Sequence, residues 1–421
     1  MKRDVAILGA GYVGLPLARV LAEAGTGCLL VDINPARVEE INQGRSYVED
    51  VPSEALGPLV ESGRLAATTS YDAVRECDAI LVALPTPLTP NREPDLSIVL
   101  AACVELGKRL RPGHLVVLES TTYPGTTRDE VLPMLAASGL EVGRDFFLAF
   151  SPERVDPGRS DFTTQNTPKV VGGITPACTE RAAALYAGAM AEVVTVSSPE
   201  VAEMTKLLEN VFRSVNIALV NELAQLCNRM DIDVWEVVDA AATKPFGFMS
   251  FKPGPGLGGH CLPVDPFYLA WKARQFDFST EFVELAGKIN ENMPYFCLER
   301  IAHALNTQQR SVNGSRVHIV GVSYKSDVGD LRLSPALKLI ELLRREGAAL
   351  SYTDELVPML PEHGLTSSDL EAAVADADCV CIVTAHSHVD HEAIASRARL
   401  VVDFRNATGA SGVERANVQK L

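Results

Sequence analysis

Basic charge is scarce in this chain: 38 Lys and Arg stand against 54 Asp and Glu, a formal net charge of -16. A nucleic-acid binder ordinarily carries a basic face, so a polyanion is excluded as the general partner, while a local cationic pocket for a diphosphate is not. Uninterrupted apolar runs long enough to cross a bilayer are missing too, so no membrane span is expected. The nine cysteines are an odd number without C-x-x-C pairs, which favours neither a disulfide framework nor a zinc site. The start MKRDVAILGAGYVG enters a strand and a Gly-rich turn with no separate hydrophobic region and cleavage site, so cytoplasmic residence is the expectation. What is present is an apolar fraction of 47% with 22% charged residues, the balance of a folded globular protein. A length of 421 residues exceeds one ordinary core, so two or three domains are expected.

Short β-branched runs alternate with helical patterns at the amino end: DVAILGA, a helix from about Tyr12 to Ala24, CLLVDI, then DAILVALP and HLVVLES. That alternation predicts a parallel sheet with helices on both faces, continued by DFFLAFS, KVVGG and EVVTVS to about Ser197. From Pro199 to Met230 the period changes to one long amphipathic helix, with Val201, Met204, Leu208, Val211, Val215 and Leu219 three or four apart. Helices from Val234 to Ala241 and from about Glu281 to Leu305 follow, separated by the loop KPFGFMSFKPGPGLGGHCLPVDP, dense in Gly and Pro. Alternation resumes at RVHIVGV. The next helix has Ser334 at its N-cap, Pro335 at its first position and Gly347 at its end, and ALSYTD, DCVCIVTA and LVVDF complete the strands. Cys379 and Cys381 fall in one of these buried runs. The two ends read as a loose repeat, VAILG leading to Asp32 and VHIVG to Asp354. The fold class expected is α/β: two Rossmann-like doubly wound domains (residues 1–197 and 309–421) joined by a long central helix and helical core (198–308).

Gly9, Gly11 and Gly14 form G-x-G-x-x-G between the first strand and helix. They allow in turn a tight turn, approach of a pyrophosphate to the backbone, and close helix packing. Asp32, 18 residues beyond Gly14, can bind both ribose hydroxyls and would repel a 2'-phosphate, so NAD rather than NADP is expected. The second end domain lacks the triplet, since VSYKSD follows Gly321. Lys325 and Arg332 there read either as solvated charges or as cations for a ligand at the sheet edge. Cys261 lies in a glycine-rich loop with Asp265 four residues after it, which suits close approach of a substrate to a thiol nucleophile. A packed loop cysteine fits the same composition, and His260 beside it could be a metal ligand. Lys206 and Asn210, one turn apart, share a face that is either solvated or turned to a cleft where an ammonium stabilises an oxyanion. Glu153, after DFFLAFS, is an ordinary loop residue or a general base toward water.

With these residues assembled, the chain resembles the UDP-glucose/GDP-mannose dehydrogenase family over nearly all its length. GAGYVG, LPTPLT, ESTTYPGTT, SPERVDPG, EMTKLLENVFRSVNIALVNEL, GGHCLPVDP and VSYKSDVGDLRLSPAL occur in the family's order. The resemblance implies an NAD domain, a helical core that forms a homodimer, and a UDP-binding domain. It implies Cys261 as covalent nucleophile, Lys206 and Asn210 at the oxyanion and bound water, Asp265 as acid/base support, Glu153 in thioester hydrolysis and Thr121 in the same water network. Gly9, Gly11, Tyr12, Val13, Gly14, Asp32, Arg37, Thr86, Thr121 and Arg332 are implied at NAD. Glu153, Arg154, Lys206, Asn210, Gly258 and Lys325 are implied at a UDP-sugar. GGHC with PVDP is nearest the UDP-N-acetylhexosamine branch, and the stretch TKPFGFMSFKPGPGLGGHCLPVDP looks like the UDP-N-acetylglucosamine 6-dehydrogenase type. UDP-glucose and UDP-N-acetylmannosamine are the neighbouring substrates. A non-catalytic nucleotide-sugar binder and a two-electron alcohol dehydrogenase are the other classes. One departure is Leu333, where an acidic residue is usual and where a lost charge would change how Arg332 is held.

Overall fold

The computed structural model describes residues 4–48, 50–89, 91–155, 161–259 and 262–421. The chain forms two compact units, Met1–Glu209 with Phe267–Asp277 and Asn210–Pro266 with Phe278–Leu421. The architecture is α/β, with a parallel-sheet domain toward each end and a long helix in the middle.

The first unit holds β1 Val5–Leu8, β2 Cys28–Val31, β3 Leu65–Thr68, β4 Ala79–Val82, β5 Leu115–Leu118, β6 Phe147–Phe150, β7 Lys169–Gly173 and β8 Val193–Val196. They form one sheet in the order β3-β2-β1-β4-β5-β6-β7-β8. β1, β2, β4 and β5 are buried throughout, as strands covered on both faces must be. Alternate residues feed two cores: Val5 and Ile7 with Leu15 and Leu21 on one face, Ala6 and Leu8 with Val82 and Leu118 on the other. The expected parallel sheet has one reversal, because β6 and β7 are antiparallel. The described residues between them contain no helix, so the crossover that a parallel pair requires is not made there. Strand order reverses between β1 and β4, and ligands of open α/β sheets bind outside the carboxyl ends at such a point. The first helix is Gly14–Glu23, starting two residues after Tyr12 because residues 11–13 form the turn that precedes it.

The long helix is Pro199–Met230. Its apolar spacing was legible, but the consequence is the reverse of an ordinary core stripe. Val201, Met204, Leu208 and Leu219 are exposed, Leu208 by 64%, Val215 is half-buried and Val211 alone of the six is buried, whereas Glu203, Lys206, Asn210, Ser214 and Asn221 are buried.

The second unit contains β9 Arg316–Val320, β10 Ala349–Thr353, the short antiparallel pair β11 Met359–Leu360 and β12 Leu365–Thr366, then β13 Cys379–Ile382, β14 Val401–Asp403 and β15 Val418–Lys420. Its main sheet, β10-β9-β13-β14-β15, is parallel throughout. Cys379 and Cys381 are fully buried in β13. Helices Val234–Ala242 and Glu281–Thr307 stand where their periodicity places them. Ser334 caps Pro335–Arg345 by accepting the Ala336 N–H. The helix Asp265–Arg274 was not expected; the Gly/Pro density of the segment masked its acidic residue followed by proline, a sound helix start. Trp235, Met293, Ile301, Val317, Ile319 and Leu339 belong to one continuous core, so the helices Val234–Ala242 and Glu281–Thr307 pack with the carboxyl-terminal sheet. No helix among the described residues is long and apolar enough to cross a membrane.

The loose repeat has a structural counterpart. Asp32 accepts the Ala10 N–H at 2.9 Å, and Asp354 accepts the Val322 N–H at 2.8 Å, each closing the turn after the unit's first strand. Gly9 and Gly321 both have positive φ, and a Cβ at either would sit 2.5 or 2.1 Å from the carbonyl oxygen of Ala83 or Thr384. Only glycine fits such a position.

Candidate functional site

The dinucleotide turn is built for a ligand that comes close to the backbone. A Cβ on Gly14 would lie 1.9 Å from the Gly9 carbonyl oxygen, so helix packing alone demands that glycine. Gly11 differs: a Cβ there meets nothing within 4 Å, so no protein contact requires its absence. Open space at the middle glycine is what a pyrophosphate needs, and the residues present fit NAD. Asp32 is buried, and its second carboxylate oxygen accepts the Asn34 N–H at 2.9 Å. Arg37 approaches Asp32 at 3.6 Å and lies over the Tyr47 ring at 5.5 Å, while the Tyr47 hydroxyl donates to the Ala10 carbonyl at 2.5 Å. Burial pushes the Tyr47 phenol up to about 12, so it stays a donor. Tyr47 was missed because nothing in its local spacing ties it to a turn 37 residues earlier. Tyr12 is exposed and Val13 half-buried at the lip of the turn. Thr86 donates to the Thr121 carbonyl at 2.8 Å, and Ser120 donates to the Leu84 carbonyl at 2.7 Å. These contacts bring the segments after β4 and β5 together at the sheet's carboxyl edge.

Also in the first unit, Glu153 follows β6 and accepts N–H bonds from Arg154 at 2.8 Å and Val155 at 2.9 Å. The Arg154 guanidinium is engaged with Glu209 at 2.5 Å and with the Pro168 carbonyl at 2.7 Å. Behind this segment sit two buried charges that sequence reasoning passed over, Glu119 and Lys169, 2.5 Å apart. The signal available was a charged residue next to or within an otherwise apolar strand run.

Lys206 and Asn210 are 7% and 5% exposed, so their face is not solvated. One turn earlier Glu203 accepts from the Gly125 N–H and from the Thr127 N–H and hydroxyl, and burial pushes its carboxyl up to about 7 despite these three donors. In the second unit Asn210 donates to Asp265, itself buried at the start of its helix. Asn221 accepts the Gly254 N–H at 2.9 Å and donates to Asn290 at 2.9 Å, which fastens the entrance of the glycine-rich loop to the long helix. Further along, the Gly259 N–H donates to the Arg332 carbonyl at 2.8 Å, and a Cβ on Gly258 would meet Tyr324 at 2.5 Å. Cys261 and His260 lie outside the described residues. Lys325 is half-buried. Arg332 is exposed and held by a bidentate pair with Asp330, so the charge missing at Leu333 is supplied from three residues earlier. Asp327, His386 and His388 bring donor atoms within 4.8 Å of one another. Both ring nitrogens of His386 are already engaged, one by the Asp327 N–H and one by Asp354.

Comparison with known proteins agrees with this layout. The UDP-glucose/GDP-mannose dehydrogenase family's NAD binding domain matches residues 3–190, its central domain 200–292 and its UDP binding domain 318–410. Protein CapL of Staphylococcus aureus is 37% identical over 356 residues, covering 84% of this chain and 82% of CapL. UDP-N-acetyl-D-glucosamine 6-dehydrogenase of Pseudomonas aeruginosa is 35% identical over 392 residues, covering 91% and 90%. The solved UDP-D-ManNAc dehydrogenase of Pyrococcus horikoshii superposes with a TM-score of 0.90 at 31% identity, covering 99% of this chain and 98% of that one. With all three domains matched in order along most of its length, the chain belongs to the UDP-glucose/GDP-mannose dehydrogenase family and is an NAD-dependent oxidoreductase.

Proposed function

We propose that this chain oxidises the C6 hydroxymethyl group of UDP-N-acetylglucosamine to a carboxylate, consuming two NAD and one water, as a cytoplasmic homodimer. Gly9, Gly11, Gly14 and Asp32 would hold NAD, which when bound would supply the hydride acceptor for each oxidation. Asp265, bonded to Asn210, holds the water that receives the alcohol proton in the first oxidation. The Cys261 thiolate then adds to the aldehyde carbon, and the Lys206 ammonium stabilises the oxyanion that forms. Loss of a second hydride leaves a thioester, which water cleaves with Glu153 as base. Arg154, Gly258 and Lys325 contact the nucleotide sugar, and Arg332 borders the cofactor.

The observation that carries this reading is the burial of Lys206 and Asn210 on one helix face, with Asn210 bonded to Asp265. Burying an ammonium is costly unless an anion offsets it, and an oxyanion formed during the reaction would do so. The sugar rests on the GGHC and PVDP segments and on the Pseudomonas aeruginosa relative. The Pyrococcus horikoshii structure keeps UDP-N-acetylmannosamine as the neighbouring substrate.

One limiting-substrate assay tests it. Among UDP-N-acetylglucosamine, UDP-N-acetylmannosamine and UDP-glucose, the first turns over fastest, yields two NADH per sugar, and ends as an acid. One NADH with an aldehyde product would remove the four-electron mechanism. NADP is a poor substitute, and Asp32→Ala narrows the gap because Arg37 remains to meet a 2'-phosphate.

The exposed apolar side of the long helix supports the homodimer, since Leu208, Leu219, Leu226 and Met230 form a row that water covers poorly. Sedimentation at micromolar concentration should give twice the chain mass. A monomer there rules the dimer out.

A further inference from the structure

The buried pair Glu119–Lys169 has no part in the chemistry above, yet it lies directly behind Glu153. Lys169 opens β7, 3% exposed, and Glu119 follows β5, 1% exposed. The Lys169 ammonium reaches Glu119 at 2.5 Å, the Pro152 carbonyl at 3.3 Å and Glu153 at 3.9 Å. It also lies 5.4 Å from the centroid of the Tyr186 ring, and the Tyr186 hydroxyl donates to the other Glu119 oxygen. One buried ammonium is thus shared unequally by two carboxylates. The close one is sealed by Tyr186, and the distant one is held by the Arg154 and Val155 N–H groups instead. The charged or titratable groups that described contacts bring to this cluster are Glu119, Lys169, Tyr186, Glu153, Arg154 and, through Arg154, Glu209.

We propose that Glu119 is a positioning residue for thioester hydrolysis: by neutralising Lys169 it keeps that ammonium off Glu153 and leaves Glu153 free to take a proton from water. The proposal rests on Glu153 serving as the base. In the step concerned, the water oxygen bonds to the acyl carbon and the carbon–sulfur bond breaks. Sulfur leaves with the electron pair as the Cys261 thiolate, and one water proton passes to the Glu153 carboxylate. A carboxylate tied to an ammonium accepts that proton less readily, because protonation would strand the cation. Burial pushes the Glu119 carboxyl up, and the Lys169 ammonium and the Tyr186 hydroxyl beside it work the other way.

The test follows the covalent acyl-enzyme by intact-protein mass spectrometry during turnover of UDP-N-acetylglucosamine with NAD, together with the pH profile of its decay. Glu119→Gln leaves Lys169 with Glu153 as its one carboxylate. The acyl-enzyme accumulates, its decay slows by about tenfold or more, and the acid limb of the decay moves to lower pH by on the order of one unit. Glu119→Gln with Lys169→Met removes both charges, and the acid limb returns toward that of the unmodified enzyme. This double variant also guards against a single variant that fails to fold, since removing both charges of a buried pair leaves no stranded charge. If both variants lose thermal stability while the acid limb stays in place, the pair is merely structural and the proposal fails. Glu153→Gln is the control: if it does not accumulate acyl-enzyme, Glu153 is not the base, which is a separate failure from an unmoved limb in Glu119→Gln.

Discussion

Cys261→Ala abolishes net acid formation, by about 10³-fold or more, while NAD and nucleotide-sugar binding remain close to those of the unmodified enzyme. The first hydride leaves an alcohol carbon and needs no sulfur, so the variant can still make aldehyde slowly. The second needs a tetrahedral carbon bearing an anionic oxygen, and addition of a thiolate to the aldehyde supplies it. Without the thiol the aldehyde waits for hydration or escapes. The measurement is acid product by chromatography, with binding of each ligand followed separately by calorimetry. Near-normal acid production would rule out covalent catalysis in this chain, and loss of binding would mark the cysteine as a packing residue of its loop.

Lys206→Ala lowers turnover by about 10²–10³-fold with at most a few-fold change in KM, the pattern of an interaction that strengthens in the transition state. The side chain is buried on the long helix, so truncation to alanine also removes the packing of its methylene stem. Lys206→Met separates the two effects: it keeps the stem and removes the charge. Equal losses of kcat in both variants, with thermal stability restored in Lys206→Met, assign the effect to the ammonium. If the loss instead appears in substrate affinity, Lys206 anchors the ground state and the oxyanion has another donor.

Much of the fold could be read directly. β1, β2, β4 and β5 are short apolar runs separated by helical patterns, the long helix begins and ends at Pro199 and Met230, and Ser334 with Pro335 marks a helix start. All of these are local, set by side-chain period, caps and turn residues within a few positions of one another. Gly9 and Asp32 were legible for the same reason, since a strand, a turn and a helix hold them at a set separation. The missed helix at Asp265 shows the limit of that approach: composition over a window outweighed a two-residue start signal.

On the long helix, spacing identified which residues share a face but not what lies against it. Leu208 and Lys206 look like core and surface in sequence and are the reverse in the folded unit. The residue that gives Asn210 its partner lies 55 positions away, and those that give Lys169 and Asn221 theirs lie 50 and 69 positions away. The sequence by itself determined the two parallel-sheet domains, the dinucleotide turn and the Asp32 beside it, because each arises from contacts between near neighbours along the chain. Only the tertiary structure decided which polar groups are buried and which carboxylate holds which cation, because dehydration and pairing depend on segments that folding alone brings together.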